Sequence, residues 1–325
     1  MVIVGELGAG WGPGWAATFF SGIDYEQAVE RARTSASGHA SLVLSAAAGN
    51  AFYRGEFRRG RELSREAMQD VRRSAHPSTV LGLNFIFVNP KTLDTKLAAA
   101  LQILEEVGVD TRTYAWLRGG AAAVAAALGN VDLARREAVF ALEAGRRLGS
   151  PSLQMTGLYA LGLASWHSDP IAARAALEEY IQIARATDFD PVMPRVLALL
   201  AQLQSGDGGD TPAALAALSQ AFSIAHIDDD RPALAVCLAR GAVVMSALGE
   251  LETAAVFWGA VTQGVFADLA ALPANEMSGH HEIMAAVQSE LGSDRYGAAT
   301  ANGAAMTYEQ INAFALSAVE DPAVQ

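Results

Sequence analysis

The sequence predicts an all-α fold, a tetratricopeptide-like α-solenoid of about six helix pairs with C-terminal capping helices. Three observations predict it. Hydrophobic residues make up 51% of the 325 residues and alanine leads them, while aromatic residues are only 7%. Alanine is the best helix former, and its small side chain lets helices approach closely. Next, Ala127–Ala134 reads ALGNVDLA and Ala247–Ala254 reads ALGELETA, an echo at 120 residues. Finally, helix breakers recur near positions 55, 90, 129, 169, 208 and 249, about 35 to 41 residues apart. A period of that length marks stacked helical units.

Each element follows from local chemistry. Residues 1–36 hold a glycine-rich start and one amphipathic helix opening at Asp24-Tyr25-Glu26-Gln27. The hairpins occupy 37–267. Gly129 and Gly249 each follow an alanine-rich run, where glycine ends a helix in the left-handed conformation. Ala134 and Ala254, five residues on, stand where the second helix must cross the first. Arg54-Gly55-Glu56, Asn89-Pro90-Lys91, Ser168-Asp169-Pro170 and the Gly206–Pro212 stretch do the same work. Between them lie His76-Pro77, Val109-Asp110, Ser150-Pro151, Asp190-Pro191 and Asp228-Asp229-Asp230-Arg231-Pro232, where Asp or Ser caps a helix and proline suits its first turn. One unit cannot bury its own apolar face; stacked neighbours can, and they leave an extended concave surface. Residues 268–325 read as capping helices and a tail, with Thr307-Tyr308-Glu309-Gln310 forming a capping box.

Composition excludes several classes. A formal net charge of -12 makes non-specific nucleic-acid binding unfavourable. The charge is uneven, because Arg54, Arg58, Arg59, Arg61, Arg65, Arg72 and Arg73 crowd one segment among Glu56, Glu62, Glu66 and Asp70. Such a run is a solvated helix face with i,i+4 pairs, or a docking patch for an acidic partner. Cys237 is the single cysteine, so neither an internal disulfide nor a cysteine metal cluster forms. The first residues lack the basic flank of a signal peptide. Mean hydropathy is +0.20, yet Arg118 and Arg240 interrupt the longest apolar runs, and no stretch reads as a spanning helix. A cytoplasmic location is expected.

Two stretches carry a family resemblance. Gly49-Asn50-Ala51-Phe52-Tyr53-Arg54-Gly55-Glu56-Phe57 resembles the first-helix-to-turn segment of a tetratricopeptide repeat, one residue shorter. Ala254-Ala255-Val256-Phe257-Trp258-Gly259-Ala260, then His281, Leu291-Gly292, Tyr296 and Gly303-Ala304-Ala305-Met306-Thr307-Tyr308-Glu309-Gln310, follow an order similar to the end of the helical-repeat region in actinobacterial LuxR-type ATPase regulators and related adenylate-cyclase-like proteins. The resemblance covers roughly residues 37 to 320. In that family an ATPase module precedes the repeats, and a DNA-binding helix-turn-helix or nothing follows. The Walker A motif is absent, since no Gly-Lys pair occurs. No cyclase domain fits before the repeats, and the chain ends about where a helix-turn-helix would begin. The resemblance therefore implies sensing or partner binding, and neither ATP hydrolysis nor DNA contact.

Motifs for chemistry fail on spacing. In MVIVGELGAGWGPG, a dinucleotide spacing places Pro13 or Trp15 at the third glycine, and no βαβ unit follows. Gly279-His280-His281-Glu282 lacks the second histidine of a zinc-protease helix, because position 285 is alanine. His39, His76, His167 and His226 are scattered. Asp228-Asp229-Asp230 lacks the frame of a calcium loop and reads as a cap before Pro232. Glu105-Glu106 and Glu178-Glu179 point about 100° apart on a helix and do not face each other as an acid/base pair. Cys237 reads as a packing residue. No catalytic residue, cofactor or metal ligand is expected.

A binding surface remains. In such repeats the first helices of the pairs line the concave face. Counting back from each turn selects Phe52, Asn84, Trp116, Tyr159 and Trp166 among alanines and valines, and large aromatics on a small-residue surface anchor partners. The competing reading packs them between repeats. The expected function is a non-catalytic scaffold or sensor for a protein, peptide or small regulatory ligand, working in trans with an ATPase or transcription regulator, without direct nucleic-acid or membrane contact. Two alternatives stand beside it: a degenerate transcriptional regulator reaching DNA through a partner, and an enzyme with a site inside the groove.

Overall fold

A computed structural model describes residues 25–34, 38–53, 56–69, 71–75, 77–84, 92–108, 111–187, 192–206, 208–267 and 279–320. The glycine-rich opening, Arg54, Gly55, His76, the Asn89-Pro90-Lys91 breaker, Asp110 and Asp190 lie outside them. The described residues are helical with short turns, and no strand occurs among them. The chain divides into two compact units, Met1–Pro191 and Val192–Gln325.

The first unit holds α1 (Tyr25–Thr34), α2 (Ala40–Tyr53), α3 (Phe57–Gln69), a 3-10 turn (Val71–Arg73), α4 (Pro77–Asn84), α5 (Leu93–Val107), α6 (Thr111–Ala127), α7 (Val131–Leu148), α8 (Pro151–Ser165) and α9 (Pro170–Thr187). From α2 on, these pair as α2/α3, α4/α5, α6/α7 and α8/α9. First helices pack on first helices, α2 on α4, α4 on α6 and α6 on α8, and each second helix also packs on the next pair's first helix, as α7 does on α8. That double contact is what buries a face no single pair could cover.

The second unit continues the pattern with α10 (Met193–Gln204), α11 (Thr211–Ile227), α12 (Arg231–Ala247) and α13 (Leu251–Thr262), paired as α10/α11 and α12/α13. Three further helices follow: α14 (His280–Leu291), α15 (Ser293–Ala305) and α16 (Tyr308–Glu320). The six expected pairs and three capping helices are thus present. α14 packs on α12 and α13, α15 on α13, and α16 on α11.

The 120-residue echo is one turn used twice. Gly129 and Gly249 have φ of 80° and 85°. Around them Asn130 N donates to Ala125 O at 2.9 Å and Gly129 N to Ala126 O at 3.1 Å, while Glu250 N donates to Met245 O at 2.9 Å and Gly249 N to Ser246 O at 3.1 Å. These are the 6→1 and 5→2 bonds of the Schellman motif, which satisfy carbonyls the helix end leaves open. Ala134 and Ala254 are buried where the helices cross. The same pattern serves α11, where Asp230 N bonds Ala225 O at 3.0 Å and Asp229 N bonds His226 O at 3.1 Å. There Asp229, with φ 47°, takes the glycine position.

Side chains cap several of the described helix starts. The side chains of Asn130, Asp169, Asp210 and Asp230 accept from the N–H groups of Leu133, Ala172, Ala213 and Ala233. Thr307 and Gln310 form the reciprocal box, Thr307 N donating to Gln310 Oε1 at 2.9 Å and Gln310 N to Thr307 Oγ1 at 3.3 Å. Ser150 departs from expectation. Its backbone is extended before Pro151, but its hydroxyl makes no cap bond and lies 3.4 Å from Ser152 Oγ instead.

A ladder of polar links in the first unit ties α1 to α3, the 3-10 turn to α5 and α7 to α9. Arg33 meets Glu66 at 2.9 Å, Arg59 meets Glu26 at 2.7 Å, Arg72 meets Glu106 at 3.3 Å and Arg146 meets Glu179 at 2.9 Å. Partners are separated by 33 or 34 residues, so the ladder records the repeat in side chains. Each exposed rung is worth less than about 1 kcal/mol, so the ladder sets register more than stability.

Candidate binding surface

The first helix of the third pair, α6, shows most clearly which face the stacking leaves open. Ala115, Leu117, Gly119, Ala121, Ala122, Ala125 and Ala126 are buried against α4, α5, α7 and α8. Thr113, Trp116, Gly120, Ala123 and Ala127 are half-buried. Their spacing of three and four residues places them on one face of the helix. Trp116 packs against the buried trio Ala115, Ala144 and Leu153 and keeps part of its ring accessible. One turn on, a Cβ added to Gly120 would meet nothing within 4 Å. Beside it, a Cβ on Gly119 would touch Thr156 Cγ2 of α8 at 3.1 Å, so half-buried Thr156 flanks the face. The result is an indole standing next to an unfilled space on a surface otherwise made of small residues.

A buried charge fixes this pair from the other side. Glu137 of α7 is 3% exposed. It accepts a short hydrogen bond from Arg118 Nε and a second from Arg136 Nε at 2.8 Å. The Arg118 guanidinium lies 3.7 Å from the Phe140 ring centroid and 5.9 Å from that of Tyr114. A buried carboxylate with two guanidinium donors is satisfied, and a guanidinium on an aromatic face adds cation–π attraction. Sequence reasoning missed this pair. The available signal was two opposite charges placed in otherwise alanine-rich helices.

The other aromatic and polar candidates have different surroundings. Asn84, Tyr159 and Trp166 are 5%, 7% and 8% exposed. Asn84 Nδ2 donates to Ser45 Oγ at 2.9 Å and to Val80 O at 2.6 Å, linking α4 to α2. Trp166 stacks on His167 with ring centroids 3.5 Å apart. Phe52 belongs to α2, and its side chain lies outside the described residues. Among the described members Trp116 is half-buried where the others are buried. Gly120, which completes the open face, was missed because glycine in a helix reads as a weak point rather than as room for a ligand.

In the second unit the rejected motifs hold structural places. His280 is buried, and Trp258 meets the rings of His280 and His281 edge-on at 6.3 and 5.1 Å. Cys237 is buried with Sγ 3.4 Å from Pro194 O. Asp230 caps α12 while Arg195 bridges to it at 3.0 Å. Among the described residues no group of three or more His, Cys, Asp or Glu could hold a metal ion, and no helix is long and apolar enough to cross a membrane. No protein-family model matches the chain, and no curated protein matches it.

Proposed function

We propose that the chain is a non-catalytic helical-repeat module that binds a protein or peptide partner across the open face of α6, with Trp116 as the anchor. The observation that carries the reading is the pairing of a half-buried indole with the unfilled space at Gly120 on a face of small residues. Aromatic anchors in partly desolvated settings supply a large share of binding energy, and small neighbours let a partner approach. The resemblance to the repeat region of LuxR-type ATPase regulators supplies the setting, a signalling assembly in which an ATPase or transcription regulator acts in trans.

The test compares proteins retained from host extract by the tagged chain, by Trp116→Ala and by Trp116→Phe. A defined set retained by wild type and Trp116→Phe, and lost with Trp116→Ala at unchanged thermal stability, is the expected result. Equal retention by all three forms would remove Trp116 from the binding surface.

A further inference from the structure

We propose that the outer face of α3 is a docking surface for the acidic C-terminal unit of a second copy of this chain. Helical spacing builds the face. Arg58, Arg61 and Arg65 recur at i, i+3 and i+7 and are exposed, while Leu63 and Ala67 on the other side of the helix are buried. Arg59 and Glu66 turn toward α1, where Glu26 and Arg33 engage them. Arg58, Arg61 and Arg65 form no ion pair among the described residues.

The complementary charge lies in the same chain. Val192–Gln325 holds 4 arginines and no lysine against 15 aspartates and glutamates, so it carries -11 of the formal -12. Met1–Pro191, with 19 basic against 20 acidic residues, is close to neutral. The last three helices concentrate the imbalance. Arg295 is the single Lys or Arg of residues 279–320, and Glu252 engages it at 2.7 Å. Glu282 and Glu290 of α14 and Asp294 in the first turn of α15 are exposed and, among the described residues, form no ion pair. Each molecule therefore presents three unmatched guanidiniums on its first unit and three unmatched carboxylates on its second.

One feature favours a carboxylate-bearing protein over a nucleic acid. Glu62 sits exposed within the arginine stripe, so a continuous run of phosphates meets repulsion that separate carboxylates can step around. The arginine fork then suits carboxylates, which it binds through two parallel hydrogen bonds. The chain already uses that geometry between α1 and α3, where Arg33 Nε and Nη2 reach Glu66 Oε1 and Oε2, both at 2.9 Å. A second copy brings such carboxylates on folded helices at the same concentration as the stripe. The contact joins two different surfaces, so association runs head to tail and stays open-ended unless its rotation closes a ring. Whole chains of net charge -12 repel at long range. At about 0.1 M salt, screening over about 10 Å removes most of that repulsion and leaves the touching pairs.

Sedimentation velocity reads the mass of the full chain across a concentration series in about 0.1 M and about 1 M salt, where screening shortens from about 10 Å to about 3 Å. Three forms are compared, each with a thermal melt: wild type, Arg58→Glu/Arg61→Glu/Arg65→Glu, and Glu282→Lys/Glu290→Lys/Asp294→Lys. Wild type should grow beyond the 34.0 kDa of one chain with concentration in the lower salt and return to it in the higher. Each reversed form should stay a single chain at an unchanged melting temperature, because like charges then face each other. An equimolar mixture of the two reversed forms should associate again, since each supplies the charge that the other's altered face requires. Both remain net negative, so attraction between whole chains does not produce that result. If a reversed form melts early, Arg58→Gln/Arg61→Gln/Arg65→Gln carries the test, with association weakened about tenfold or more by the loss of three exposed pairs. Wild type that stays single at every concentration, association indifferent to the arginine changes, or a mixture that stays dissociated would overturn the proposal. So would a single chain that binds a fluorescent single-stranded RNA through the same three arginines, which would assign the stripe to phosphates.

Discussion

Arg118 and Glu137 form a salt bridge that is sunk into the α6/α7 pair, with Glu137 almost wholly buried and the guanidinium lying on the Phe140 ring. Removing one partner of a buried pair leaves a charge that water cannot reach. Arg118→Ala should therefore destabilise the protein by about 3 kcal/mol, the low end for such pairs because Arg136 still reaches Glu137. The double variant Arg118→Met/Glu137→Leu should recover most of that loss. Urea unfolding of the two singles and the double gives the coupling, and a double variant no better than the singles would show that packing rather than charge is at stake.

The α13/α15 crossing is a second sensitive point. A Cβ on Gly303 would overlap the Val256 carbonyl oxygen, and one on Gly259 would overlap the Thr300 carbonyl oxygen. Backbones at that distance tolerate no side chain on either partner. Gly303→Val should force the helices apart and cost about 3 kcal/mol or more. Gly297→Ala on the same helix α15, where a Cβ meets nothing within 4 Å, should be harmless or mildly stabilising. Thermal melts of the two decide it; equal melting temperatures would contradict the close crossing.

These two cases show what the sequence makes legible. Gly259 and Gly303 have the physical role of letting two backbones touch. The pairs themselves were readable because turn chemistry is local: Gly129, Gly249, Asp169, Asp210 and Asp230 each act within a few residues of their own position. The open face was less so. A count from the turn reaches Trp116, but it places position 119 rather than 120 on that face, and Gly119 is buried while Gly120 is open. Which of two adjacent glycines faces outward depends on where α8 lies, and that is a long-range fact. The same holds for Glu137, whose burial depends on partners from two helices.

The turns offer a paired prediction. Gly129→Val places a β-branched residue at φ 80° and should cost at least about 1–2 kcal/mol. Asp229 already bears that strain at φ 47°. Asp229→Gly should gain up to about 1 kcal/mol, less what is lost with its 3.5 Å ion pair to Arg231. Opposite shifts of melting temperature are expected. A destabilised Asp229→Gly would mean that the ion pair outweighs the backbone term.

Two carboxyls should pull the acid response in opposite directions. Hydrogen bonding to Arg33, above all, holds the Glu66 carboxyl below its ordinary value. A depressed folded-state value stabilises above the unfolded value, and that stabilisation is lost as pH falls through the folded one. The rung is partly exposed, so the amount is below about 1 kcal/mol. Asp228 is the reverse, since desolvation and then the charge of Asp230 push its carboxyl up. Its ionisation opposes folding at neutral pH, and the opposition disappears as the group is protonated. Arg33→Ala should therefore lower stability at pH 7 and flatten the acid limb. Asp228→Asn should raise stability at pH 7 and converge with wild type below about pH 3, where the aspartate is protonated folded and unfolded alike. Urea midpoints measured from pH 3 to pH 7 separate the two. An Asp228→Asn gain that persists unchanged at pH 3 would assign the effect to the turn's backbone rather than to the carboxylate's charge.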